Sequence, residues 1–201
     1  MNTTQSTLLE RIRDLADDDA WREFRRLYAP LLYHYARALG LSHDDAEDVR
    51  AKCYEAIVIN IGEFEYERQR GGFKAWLRTM AHRRVIDLQR KRREVALASG
   101  ELADQVSPES SPDVLFDRVW EAEHLRYCVE EARANCTEAT YLMFKAVVLD
   151  ERPVDDVCHE LNVSRNQIYK AKSRLLDLVR RRMRELGASP ESSETDANAK
   201  P

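Results

Sequence analysis

The stretch Pro153-Val154-Asp155-Asp156-Val157-Cys158-His159-Glu160-Leu161-Asn162-Val163-Ser164-Arg165-Asn166-Gln167-Ile168 reads as two helices joined by a tight turn. Pro153 has no amide hydrogen to lose and suits a first helical turn. Val154, Val157, Cys158 and Leu161 recur at the three-to-four spacing of one helical face. Asn162 stands where the chain must turn, and Asn tolerates positive φ better than most residues. Val163 plugs the gap between the helices. Ser164 predicts the N-cap of the second helix, and Gln167 completes a capping box. Ile168, Ala171 and Leu175 then pack back on the first helix. This is the spacing of a DNA-binding helix-turn-helix, whose second helix enters the major groove. An ordinary helical hairpin with a polar outer face is the competing reading.

The outer face of that second helix decides between them. It carries Ser164, Arg165, Asn166, Gln167, Tyr169, Lys170, Lys172, Ser173 and Arg174. Arginine can read guanine edges, and Asn or Gln can read adenine. Lysine and arginine further along can hold phosphates. The formal net charge of the chain, -4, speaks against a nucleic-acid binder, but its distribution does not. Residues 165–184 hold 8 basic and one acidic side chain, and residues 68–93 hold 10 basic and one acidic. Acidic stretches separate these blocks. Contact with a polyanion depends on charge within about a Debye length, ~8 Å at physiological salt, not on the chain total.

Upstream, helical periodicity predicts a short helix opened by a Thr7–Glu10 capping box, a second over 20–39 and a third over 43–61. Pro30 lies inside the second and is expected to bend or interrupt it. Gly40 is expected to end it as a left-handed cap, and Ser42 to cap the third. Ala46, Val49, Cys53, Ile57 and Ile61 form the inward face of the third. A loop from Gly62 to Gly72 holds Phe64, Tyr66, Arg68 and Arg70. A fourth helix is expected over 73–93, with Phe73, Trp76, Leu77, Met80 and Ile86 or Leu88 on its apolar side. Residues 94–112, EVALASGELADQVSPESSP, read as a flexible linker. Helices return over 113–134, with Leu115, Val119, Ala122, Leu125 and Val129 facing inward, and over 138–149 behind a Thr137 cap. Residues 187–201 read as a polar, disordered tail. The fold class is all-α: two small helical domains, 1–93 and 113–186, joined by the linker.

Six glycines and six prolines in 201 residues argue against a turn-rich all-β fold. No run of about 18 apolar residues predicts a membrane span. The first residues lack the basic-then-apolar order of a secretory signal. Four scattered cysteines without a CxxC pair fit a reduced, cytoplasmic protein.

The chain resembles a bacterial RNA polymerase sigma factor of the small extracytoplasmic-function class. The likeness covers about residues 8–186. Trp21-Arg22-Glu23-Phe24 to Tyr28-Ala29-Pro30-Leu31, Asp45-Ala46-Glu47-Asp48-Val49 and Phe73-Lys74-Ala75-Trp76-Leu77 are similar to that family's region two. Val163 to Tyr169, with Ala171-Lys172-Ser173-Arg174, is similar to its region four. Arg83 stands where the family usually has Asn. The resemblance implies that Asp45, Glu47, Asp48, Lys52 and Glu55 dock on the clamp coiled coil of the polymerase largest subunit. It implies that Phe64, Tyr66, Arg68, Arg70, Lys74, Arg78, Arg83, Arg84, Arg90, Lys91, Arg92 and Arg93 bind and open the downstream promoter element. The helix from Ser164 would read the upstream element as duplex. The implied partners are core RNA polymerase (clamp coiled coil and flap region), promoter DNA and an anti-sigma protein, with no membrane. No cofactor, metal or catalytic residue is expected.

Three rival readings compete with this one. Asp44-Asp45-Ala46-Glu47-Asp48 contains a DDxxD pattern of the kind that holds magnesium in prenyl-diphosphate enzymes, but acids at a helix start also stabilise its dipole. His124 and Cys128 lie four apart, without the close second pair of a zinc site. The alternative function is a stand-alone helix-turn-helix regulator with a sensing or dimerising N-terminal domain. Such a domain has no need of a second basic block with aromatics at 64–93.

Overall fold

The structure, a computed structural model, describes residues 3–63, 72–99 and 111–187. Among these the chain is all-α, without a strand. The helices are α1 (Thr3–Arg11), α2 (Asp18–Ala38), α3 (His43–Asn60), α4 (Gly72–Ser99), α5 (Pro112–Ala134), α6 (Glu138–Phe144), α7 (Val154–Leu161) and α8 (Arg165–Glu185). A π-helical turn, Lys145–Leu149, extends α6. The chain divides into two compact units, one over Ser6–Glu123 and one that takes it up from His124. This division falls inside α5, so residues 113–123, expected with the second domain, fall in the unit over Ser6–Glu123.

In the first unit α2 lies against α3, and α4 packs on both. Asp17 caps α2 by accepting from the Ala20 amide at 2.9 Å, and Gly40, at φ 84°, closes it as a left-handed residue. Helix α2 runs unbroken through Pro30. Leu27, Tyr28, Leu31 and Leu32, on either side of it, are fully buried, and that burial outweighs the lost amide hydrogen bond. Helix α1 starts at Thr3, so Thr7 lies inside it rather than capping it. The expected face of α3 is the observed one: Ala46, Val49, Cys53, Ile57 and Ile61 are buried.

Two expected faces need correction. On α4 the buried row is Phe73, Leu77, Ala81 and Val85, strictly four apart, whereas Ile86 is exposed. On α5, Leu125 and Ala122 face solvent, and the aromatics Phe116, Trp120 and Tyr127 are buried. Rings bury far more surface than Leu or Ala, so they set the rotation of the helix. Phe73 joins a cluster with Phe24 at 5.9 Å and Tyr28 at 5.1 Å, and Trp120 lies 5.8 Å from Tyr28. Phe116 meets Tyr35 edge-on at 5.0 Å. Helix α4 also extends six residues beyond the expected 93, into the stretch read as linker.

In the second unit α8 packs on α6 and α7. Met143, Ala146, Val157, Ile168 and Ala171 form its core, with Val154, Cys158, Leu161 and Val163 packed against them. Asn162 takes the left-handed conformation, φ 51° and ψ 49°, and closes α7. Pro153 stands one residue ahead of the helix rather than in its first turn. Thr137 caps α6 by accepting from the Thr140 amide. Near the end of α8, Arg182 donates to Glu131 of α5 at 2.6 Å and to Glu185 at 3.3 Å, with its guanidinium over the Tyr127 ring.

Candidate nucleic-acid interface

Ser164 and Gln167 form the expected capping box at the start of α8. Burial of Ile168, Ala171, Leu175 and Val179 fixes the rotation of the helix. The opposite side is therefore exposed from Arg165 to Arg174 at every predicted position: Ser164, Arg165, Asn166, Gln167, Tyr169, Lys170, Lys172, Ser173 and Arg174. Tyr169 is 54% exposed although aromatic. Three of these side chains, Ser164, Arg165 and Gln167, are already engaged. The Gln167 carbonyl oxygen accepts from both the Ser164 amide and its hydroxyl, at 2.8 Å each. Adenine readout needs both ends of that amide, so in this conformation Gln167 serves the cap. Arg165 donates through Nε and one terminal nitrogen to the two carboxylate oxygens of Asp155, at 2.7 Å each.

The basic block of α4 divides in the same way. Arg83, Arg84, Arg90, Lys91 and Arg93 are exposed. Lys74 pairs with Asp117 at 2.9 Å and lies over the Trp120 ring, and Arg78 pairs with Asp113 at 3.3 Å. Arg90 lies 3.5 Å from Asp87. Arg92 pairs with Asp45. Phe64, Tyr66, Arg68 and Arg70 lie outside the described residues. Phe73 is in the core, and Trp76 stacks on it half-buried, 5.6 Å between ring centres.

The acidic face of α3 is less open than its sequence suggests. Asp45 is 9% exposed, and its carboxylate accepts from the Ser42 hydroxyl at 2.6 Å as well as from Arg92. Glu47 pairs with Arg50, and Asp48 with Lys52 at 2.5 Å. Glu55 is exposed. The DDxxD acids are thus spent on a helix start and on ion pairs. Among the described residues no three or more His, Cys, Asp or Glu gather as a metal site. Burial pushes the thiols of Cys53 and Cys128 up to about 12, which suits packing rather than nucleophilic chemistry. No helix of the described residues is long and apolar enough to cross a membrane.

Asp155, Asp113 and Asp117 are partners that sequence reasoning did not find. Each stands in the opening turns of a helix, where an acid looks like ordinary dipole compensation.

The family model described as Sigma-70 region 2 matches residues 24–95, which take in most of α2, all of α3 and α4 almost to its end. Over that segment the chain is similar to region 2 of the sigma-70 family. No curated protein matches it.

Proposed function

We propose that the chain is a sigma factor of the extracytoplasmic-function class, which joins core RNA polymerase in the cytoplasm and directs it to promoters with two spaced elements. One observation carries this reading: a segment matching Sigma-70 region 2 precedes, in the same chain, a capped helix-turn-helix whose second helix offers an unbroken polar and cationic face. In this reading α3 docks on the polymerase clamp, chiefly through Glu47, Asp48, Lys52 and Glu55. The open cations of α4 hold the downstream element. A basic surface beside an unstacked strand lowers the cost of opening it. The start of α8 reads the upstream element as duplex. The chain does no bond-making itself; the polymerase does.

The test is transcription in vitro with core RNA polymerase on a promoter library, mapping start sites. Starts preceded by two conserved elements at fixed separation support the reading. A chain that never assembles with core polymerase, yet binds a symmetric duplex unaided, overturns it in favour of a stand-alone regulator.

A further inference from the structure

We propose that Asp155 is a positioning residue for base recognition, holding Arg165 so that the outer edge of its guanidinium is presented to a guanine of the upstream duplex. The inference rests on the reading of α8 as the helix that enters the groove. A guanidinium carries five N–H donors in a rigid planar fork. Asp155 takes the side of that fork, with Oδ1 on Nε and Oδ2 on one terminal nitrogen. The end-on pair, one hydrogen on each terminal nitrogen, is left unspent by this contact. That pair matches the O6 and N7 acceptors of guanine.

Arg165 needs such a support. It is the first residue of α8, and its side chain is 65% exposed. A long cation in that setting samples many rotamers, and fixing it on DNA would cost entropy at the moment of binding. The Asp155 carboxylate, in the first turn of α7, fixes it beforehand. The turn that Asn162 makes brings these two helix starts together across ten residues of chain. The opposite role, an acid that masks the reading arginine, would use the same contact but gives effects of opposite sign.

The experiment is selection from a randomised duplex pool by the full-length chain, alone and assembled with core RNA polymerase. Parent, Asp155→Asn, Arg165→Ala, the double variant and Asp156→Asn are compared. Asp156→Asn removes an acid from the same helical turn and controls for the dipole. The expected result is that Asp155→Asn lowers preference for guanine at one position by about three- to tenfold, part of what a bidentate base contact supplies. Arg165→Ala loses preference at that same position, the double variant resembles Arg165→Ala, and Asp156→Asn keeps it. Parent-like preference in Asp155→Asn, or tighter specific binding, overturns the proposal while leaving the reading of Arg165 in place. Parent-like preference in Arg165→Ala overturns both.

Discussion

The guanidinium of Arg92, near the end of α4, pairs with the carboxylate of Asp45, in the first turn of α3. The family resemblance would send the first to DNA and the second to the polymerase. The fold gives them to each other. Asp45 also holds the hydroxyl of Ser42, the cap of its own helix, and is nearly buried. Its first duty is therefore to the start of α3. We expect Asp45→Ala to lower stability by about 1 kcal/mol, the scale of a helix-start contribution in a partly buried setting. Urea denaturation measures this. Asp48→Lys, on the open part of the helix, should leave stability within about 0.5 kcal/mol and weaken co-purification with core polymerase. Undiminished co-purification of Asp48→Lys would remove α3 from the proposed docking surface.

The turn of the helix-turn-helix gives a second expectation. Asn162 sits in the left-handed region, where side chains other than Asn, Asp and Gly are strained. Asn162→Gly should fold as well as the parent, and Asn162→Val should lose about 1–2 kcal/mol. Thermal and urea unfolding of the two variants checks this. A Val variant as stable as the Gly variant would mean that the turn relaxes into another conformation.

The helix-turn-helix was legible in sequence because each of its parts is local. The capping box, the turn Asn and the apolar spacing act within a few residues, and all three are present in the fold. The inward face of α3 was legible for the same reason. The rotation of α5 was not: Leu115, Val119 and Leu125 make as good a stripe as Phe116, Trp120 and Tyr127 until something lies beside the helix. What lies beside Phe116 and Trp120 is Tyr35 and Tyr28, some eighty to ninety residues earlier. The exposed polar residues of α8 were legible as types and positions. Their intramolecular partners, Asp155, Asp117, Asp113 and Asp45, were not, because helix-start acids carry no mark of a distant cation.

The four cysteines separate into two kinds. Cys53 and Cys128 are buried, and burial pushes both thiols up to about 12. Cys136 and Cys158 are partly open. Since the thiolate is the reacting form, raising the thiol value and closing access both slow attack. At pH 8 a thiol-specific disulfide reagent should label two cysteines quickly in the native protein and four after denaturation. Raising the pH toward 10 should leave Cys53 and Cys128 mainly protonated while the fold persists. Fast labelling of all four in the native protein would contradict the burial.

Asp113 and Asp117, in the opening turns of α5, tie up Arg78 and Lys74 of α4. The family resemblance counts those two cations among the residues that bind the downstream element, so in that reading the acids set how much of their charge DNA can use. Replacing both acids by asparagine keeps their size and leaves Phe116 and Trp120 in the core, so the packing of α5 should survive. The freed lysine and arginine should then contact phosphate. Each added contact steepens the fall of log affinity with log salt by about 0.7 for a single strand and about 0.9 for duplex. D113N/D117N should therefore bind a single-stranded oligonucleotide more tightly at low salt, with a slope steeper by about 1 to 1.5 if both cations engage. Adding Lys74→Gln and Arg78→Gln should return the slope to the parent's value, which separates these contacts from a general gain in charge. Fluorescence anisotropy across a salt series reads both. An unchanged slope in D113N/D117N would show that Lys74 and Arg78 face α5 for packing alone and would take them off the DNA surface.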